Sequence, residues 1–353
     1  MLFYNKIFLW MSLILFAESR WSIKRANKWY SEQKWLVGCN FVPSYAGNQL
    51  EMWQVDTFNP EVLNNELQFA ENIGFNIVRV FLHYLLWLED AISFKQRIDT
   101  FLDIADSHKI KTMIVFFDDC WNGFPKLGNQ GEPKPGIHNS MWLQCPGQNE
   151  VSNTSLYPIF KDYVQDIMTT YQDDARINVW DLYNEPGQVA NNHTYDTLPL
   201  LKEVYKWSRE INCIQPITIG AYGWGRKEIQ DSYDRFGFEN SDIISFHNYH
   251  SLNSFINITT LIESIANKRP IICTEYGART KNNTIKTHLP FMKSKNIGAI
   301  NWGLVNGRSQ TIYPWRSKEF SPRPSVWFHD ILEADGKPFD KEETDLIKKL
   351  SSI

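Results

Sequence analysis

The sequence predicts an α/β fold, a single (β/α)8 TIM barrel, and three observations predict it. Eight short apolar segments alternate with amphipathic ones along most of the 353 residues, the order in which a parallel sheet takes on its covering helices. The apolar segments are near-continuous rather than alternating, as strands buried on both faces are. The turn after the first of them, in Val37-Gly38-Cys39-Asn40-Phe41-Val42, lacks the G-x-G-x-x-G fingerprint that would favour the alternative, a doubly wound open sheet. No repeat and no linker divides the chain, which is long enough for one barrel with a sizeable core.

The elements follow in order. A Trp-rich lead-in reaches a first strand at 34–42, and a helix at 60–74 opens on Pro60, whose missing N–H costs nothing in a first turn, and closes at Gly74. A second strand (75–82), a helix with apolar residues at three-and-four spacing (94–109) and a third strand (110–117) come next. A loop rich in Gly, Pro, Asn and Trp (118–155) leads to a helix at 157–172 and a fourth strand at 177–184. Then come a helix (198–212), a fifth strand (216–221), a short helical stretch (226–232), a sixth strand (242–249) and a helix (254–267). A seventh strand (270–277), a helix (284–296), an eighth strand (298–305) and a final helix around 325–334 complete the set, followed by a charged tail.

Residues 1–19 have the form of a signal peptide: Lys6, an apolar run from Ile7 to Phe16, then small residues at Ala17 and Ser19. Cleavage is expected near Ser19, leaving 20–353 as the barrel with a short C-terminal helical tail, and an uncleaved anchor is the alternative. A secreted protein is therefore expected. Four N-x-[ST] sequons, at Asn153, Asn192, Asn257 and Asn282, fit export as a glycoprotein. The five cysteines are too scattered for a disulfide scaffold; Cys39 and Cys273 are expected to be inert in the core, while Cys120 and Cys145 flank the long loop and either pair or remain free.

The charge balance, 36 Lys plus Arg against 40 Asp plus Glu with no basic run, excludes a surface that tracks nucleic-acid phosphates. The 14 Trp, 15 Tyr and 22 Phe, many beside Gly, Asn or Pro, suit a surface on which flat neutral ligands stack. A monomer is expected.

In such a barrel the site lies at the C-terminal strand ends. Those positions carry Asn40 and then Trp53, Arg79 and His83, Asp118, Asp119 and Trp121, Asn184 and Glu185, His247 and Tyr249, Glu275, and Trp302. Glu185 in Trp-Asp-Leu-Tyr-Asn-Glu-Pro and Glu275 in Ile-Cys-Thr-Glu-Tyr-Gly both close apolar strands, the fourth and seventh, which face each other across a barrel. Two carboxyl groups about 5–5.5 Å apart hydrolyse a glycoside with retention, and about 6.5–9.5 Å with inversion.

The joint occurrence of Asn184-Glu185-Pro186, His247-Asn248-Tyr249, Thr274-Glu275-Tyr276-Gly277 and Asn301-Trp302-Gly303, in that order, resembles glycoside hydrolase family 5, the cellulase and β-mannanase family, over roughly 33–335. The resemblance implies Glu185 as acid/base and Glu275 as nucleophile. It also implies that Arg79 keeps Glu275 ionised, that Tyr249 hydrogen-bonds it beside His247, and that Trp302 forms the platform under the sugar being cleaved. On physical grounds Asn184 is placed to hold a sugar hydroxyl, Arg79 to depress the pKa of Glu275, and burial beside a negative neighbour to raise that of Glu185.

His83 and His138 line the cleft or are structural. Asp118 and Asp119 are expected to be solvated loop acids, with no metal and no cofactor. About half of Trp53, Trp87, Trp121, Trp142, Trp224 and Trp315 are expected as sugar platforms. The long loops after strands one, three and eight are expected to build an extended cleft for a β-1,4-linked polysaccharide or oligosaccharide such as mannan, glucan or xylan. An exo-acting enzyme on oligosaccharides or glycoprotein glycans uses the same pair of acids, and a non-catalytic carbohydrate-binding barrel is the rival from another class.

Overall fold

The structure, a computed structural model, describes residues 20–188, 195–222 and 232–352. Eight parallel strands form one sheet: β1 (Val37–Asn40), β2 (Ile77–Phe81), β3 (Lys111–Asp118), β4 (Ile177–Asn184), β5 (Ile217–Gly220), β6 (Ile244–His247), β7 (Ile271–Glu275) and β8 (Gly298–Trp302). Their order is β5-β4-β3-β2-β1-β8-β7-β6, and the ends meet: Ala221 bridges Phe246, and Asp242 N donates to Ile217 O at 2.8 Å. The sheet is a nearly closed (β/α)8 barrel. Gly38 lets β1 and β2 approach, since a Cβ there would stand 1.7 Å from Ile77 O.

Helices alternate with the strands. A short α1 (Ile23–Ser31) precedes β1, and α2 (Gln49–Trp53) and α3 (Pro60–Asn72) follow it. Next are α4 (Tyr84–Ser107), α5 (Tyr157–Tyr171), α6 (Leu198–Arg209), α7 (Ser232–Asn240), α8 (Leu252–Ala266), α9 (Ile285–Ser294) and α10 (Lys341–Ser351). The main core fills the space between the outer faces of the strands and the helices, as the continuous apolar strands require. A smaller cluster, in which Trp21, Ala26 and Tyr30 meet Ile77, Met113 and Val179, plugs the barrel at the strand N-termini, so α1 serves as its floor. Among the described residues no helix is long and apolar enough to cross a membrane.

Two expectations are corrected, and one left open is resolved. The helix predicted at 325–334 does not form: Trp327, Phe328, Ile331 and Leu332 are all buried, but Leu332 bridges Val305 and Pro338 in extended backbone. Apolar pairs at that spacing mimic one helical face while packing beside the β8 loop. The C-terminal helical tail lies beyond that stretch, as α10, with Asp340 accepting from the N–H groups of Glu342 and Glu343, acids in the first turn and Lys348 and Lys349 in the last. The helix predicted from 94 starts at Tyr84 and is interrupted at Asp90. Cys120 and Cys145 are free and buried; their backbones pair, Asp118 N donating to Cys145 O, but no disulfide joins them. The stretch at 226–231, the signal-peptide reading, Asn192 and Trp224 lie outside the described residues. Asn153, Asn257 and Asn282 are exposed, though Asn257 stands inside α8 rather than in a loop.

Candidate active site

Strand register sets the floor of the site. Asn40 is level with Arg79 on one side and Trp302 on the other, Asp118 with Asn184, and His247 with Glu275. Above them opens a cavity of about 930 Å³ lined by Asn184, Glu185, His247, Tyr249, Glu275 and Trp302 among others. Of the thirteen strand-end residues named from the sequence, seven line it, Trp121 completing the set; Asn40, Trp53, Arg79, His83, Asp118 and Asp119 do not.

Arg79 is fully buried beneath the cavity and ties four strands together, its own β2 with β1, β4 and β7. It donates to Asp181 at 2.7 Å, to Asn40 at 2.8 Å, to Asn184 Oδ1 at 2.7 Å and to Glu275 Oε1 at 3.3 Å. A buried guanidinium among two carboxylates is a balanced arrangement that loses its balance if either side is removed. Arg79 therefore reaches a ligand only through Asn184 and Glu275. His83 caps α4, accepting from Leu85 N at Nδ1 and meeting Gln144 O at 3.0 Å through Nε2. Burial pushes its pKa down to about 4, and it is a structural histidine rather than a binding one.

Glu185 and Glu275 meet across the barrel mouth. Together with His247 they offer ligand atoms that all lie within 4.8 Å of one another. His247 Nδ1 stands 2.7 Å from Glu185 Oε1 and 3.3 Å from Glu275 Oε2. Gln188 donates to Glu185 Oε2, and the Cys120 thiol lies 3.3 Å from the same oxygen. Tyr249 OH donates to Glu275 Oε2 at 2.8 Å. Glu185 also takes a positive φ of 45°, a conformation that costs a non-glycine residue about 1–3 kcal/mol and that collects at functional sites. By distance alone the trio also admits a metal ion, which would displace the hydrogen bonds that now join its members.

The protonation balance reverses the expected one. Burial raises both carboxyls, but for Glu185 the hydrogen bond and charge of His247, with Gln188 and Cys120, outweigh it, and its pKa falls below the ordinary value. For Glu275, burial wins, His247 and Arg79 opposing it and the charge of Glu185 adding to it, so its pKa is raised. Sequence reasoning weighed Arg79 for Glu275 and burial beside a negative neighbour for Glu185, without the donors that His247, Gln188 and Cys120 bring to Glu185.

Asp118 and Asp119 are buried structural acids, not solvated ones. Asp118 accepts from Cys120 N at 2.6 Å, Trp142 Nε1 at 3.1 Å and Asn184 Nδ2 at 3.2 Å, which fixes the Asn184 amide. Burial raises its pKa well above the usual carboxylate range. Asp119 accepts from Tyr183 OH, Gly187 N and Thr197 Oγ1 and so anchors the loop that carries Glu185. Their place at the end of β3 was the only sequence signal.

The tryptophans divide. Trp121, Trp142 and Trp315 line the cavity, whereas Trp53 stacks in the core on Phe58 and Trp87 packs on Tyr163 with its N–H on Asp166. Trp302 meets Trp142 edge-on at 5.4 Å. His138 and His329 also line the cavity, and burial depresses both, His138 to about 4. Cys120 and Gln188 are contacts of Glu185 that sequence reasoning missed.

A sequence model of the cellulase family, glycosyl hydrolase family 5, matches residues 39–308. No curated protein sequence matches the chain. Among solved structures it is similar to the exo-β-1,4-mannosidase Op5Man5 from an Opitutaceae bacterium, at 16% identity and a TM-score of 0.61, covering 90% of this chain and 59% of that one. It is similar also to GH5_18 from Bifidobacterium longum, at 13% identity and a TM-score of 0.62, covering 91% and 79%. The endo-1,4-β-mannanase from Rhizomucor miehei matches at 14% identity and a TM-score of 0.57, covering 89% and 97%.

Proposed function

Because this chain belongs to the cellulase family, glycosyl hydrolase family 5, we propose that its cavity hydrolyses β-linked glycosides with retention, Glu275 serving as nucleophile and Glu185 as acid/base. The single observation that carries this is the spacing: one oxygen from each carboxyl lies within 4.8 Å of the other, nearer the roughly 5–5.5 Å of a double displacement than the roughly 6.5–9.5 Å that inversion needs.

In the first step a Glu275 oxygen attacks the anomeric carbon as the glycosidic C–O bond breaks, and the leaving oxygen takes the proton from Glu185. In the second, Glu185 removes a proton from water, whose oxygen attacks the same carbon and returns Glu275 as a carboxylate. Arg79 and Tyr249 hold Glu275 in one orientation by hydrogen bonds at 3.3 and 2.8 Å. Asn184, pinned by Arg79 and Asp118, lines the cavity and is the side chain assigned to a sugar hydroxyl, a contact that strengthens as positive charge develops at the anomeric centre.

The pair needs one proton between its two carboxyls. The groups around the pair favour it on Glu275, and the productive form places it on Glu185. These are tautomers of one macroscopic state, so a bell-shaped pH profile survives and only the fraction of competent enzyme falls. A ligand oxygen that takes the place of Cys120 or Gln188 at Glu185 Oε2 removes a donor and moves the proton toward the productive side.

β-Mannosides lead the candidate substrates, because solved structures of similar fold include an exo-β-1,4-mannosidase and an enzyme holding Manβ1-4GlcNAc; β-1,4-glucan and xylan fragments follow. Secretion and N-glycosylation are proposed from the N-terminal segment and the exposed sequons. Hydrolysis of β-mannosyl, β-glucosyl and β-xylosyl oligosaccharides by the wild type and by Glu275→Ala tests the reading. Cleavage of at least one series by the wild type alone is expected. Tight binding of a sugar with no cleavage of any would leave a carbohydrate-binding barrel instead.

A further inference from the structure

We propose that the cavity is a dead end on its glycone side, so that the protein shortens glycans from the non-reducing end and makes no internal cuts. This rests on the retaining-glycosidase reading above. Every described residue that lines the cavity comes from the loops after β3 to β8; none comes from those after β1 and β2. That sector of the mouth is roofed.

The roof is made by two long loops that meet above β1 and β2. Asn139 N donates to Ser309 O at 2.9 Å, Phe320 N to Pro135 O at 2.7 Å, and Gly136 N to Gln310 Oε1 at 2.9 Å. Gln310 returns a bond to Lys134 O at 2.9 Å, and His138 Nδ1 meets Tyr313 O at 2.7 Å. The two backbones touch at Gly136, where φ is +77° and a Cβ would lie 2.6 Å from Ser321 N, so a side chain would hold the loops apart.

The loop after β1 is fastened beneath them. Gln49 donates to Leu143 O at 2.8 Å, Arg308 N donates to Ser44 O at 3.0 Å, and Arg308 also pairs with Glu51 at 3.1 Å and Glu132 at 2.9 Å. Backbone-to-backbone bonds at both edges, with an ion-paired arginine between, describe a fixed wall rather than a lid. The long loops expected to lengthen the cleft therefore close it.

The direction follows from the chemistry. The leaving group lies on the side of Glu185, which protonates it, and with Trp302 as the platform that the family 5 resemblance implies, the glycone lies over Trp302 beside Glu275. Trp302 is bounded by Phe81 of β2 at 5.9 Å, under the roof, and by Trp142 at 5.4 Å and His329 at 6.4 Å, which belong to the two loops that build it. The remaining wall, with Gln188, Tyr222 and Asn248 to Ser251, lies on the leaving-group side. A glycone that extended past Trp302 would have to pass through the joined loops.

The test uses the full-length protein and two series of 2-deoxy-2-fluoro glycosyl fluorides, of mannose and of glucose. Their glycones are one, two, three or four β-1,4-linked sugars long, and the reaction is followed by intact mass and peptide mapping. Attack by Glu275 displaces fluoride and leaves a glycosyl ester. The one-sugar probe of at least one series is expected to label Glu275, with the rate falling roughly tenfold or more by four sugars. Labelling by the four-sugar probe as fast as by the one-sugar probe overturns the dead end and leaves the nucleophile standing. Labelling by no probe removes the nucleophile assignment and takes this proposal with it.

Discussion

His247 Nδ1 stands 2.7 Å from Glu185 Oε1, the shortest link between the ring that ends β6 and the acid that follows β4. A donor there stabilises the ionised carboxyl and accounts for much of the downward shift of Glu185. Replacing His247 by Ala removes it, so the alkaline limb of the kcat/KM profile is expected to move up by about one to two pH units, the worth of a charge-assisted hydrogen bond of about 1.5–3 kcal/mol. An alkaline limb that stays in place shows that His247 does not set the proton donor.

Glu185 matters only where a leaving group needs a proton. Glu185→Gln is expected to slow natural oligosaccharides by about 10²–10⁴-fold while sparing the first step on dinitrophenyl glycosides, whose leaving group departs as a stable anion. Pre-steady-state release of dinitrophenol checks this. Equal losses on both substrates would place the proton donor elsewhere.

Cys120 acts on Glu185 from the other oxygen, with its sulfur 3.3 Å from Oε2 and 3.4 Å from Asn184 Nδ2. Burial and nearby carboxylates push its own pKa well up, so it stays a thiol and a weak donor. Cys120→Ala is expected to raise the alkaline limb by less than His247→Ala does, and Cys120→Ser, with a stronger donor, to lower it. Superimposable profiles for all three side chains would make the thiol a packing residue only.

Glu66 tests the scaffold separately from the chemistry. It is buried, accepts from Ser44 N at 3.1 Å, and burial raises its pKa from 4.5 to about 7. A carboxyl raised on folding lends stability that is fully present below about 4.5 and lost as pH rises through about 7. Glu66→Gln mimics the protonated form at every pH. The Tm difference, variant minus wild type, is therefore expected to grow in the variant's favour between pH 5 and pH 8, by up to about 3 kcal/mol in free energy. A constant difference contradicts this.

The barrel was legible because parallel strands buried on both faces leave unbroken apolar runs, and β4 begins and ends where its run does, at Ile177 and Asn184. Both glutamates were legible for the same reason: a carboxylate that closes such a run is delivered to the mouth. Side chains that act through others were not. His83 occupies the same strand-end position as a ligand-binding residue, but a cap and a carbonyl use both its nitrogens. Asp118 and Asp119 look solvated in the sequence because the loop that covers them returns from residues 142–145 and beyond. The roof over β1 and β2 depends on contacts between segments about 175 residues apart, for which local pattern carries no signal.

The central claim, a double displacement on Glu275, is tested most directly by the anomeric configuration of the first-formed product. Proton NMR of a β-glycoside digested at high enzyme concentration, read before mutarotation, is predicted to show the β-anomer appearing first. First appearance of the α-anomer means single displacement by water and contradicts the account.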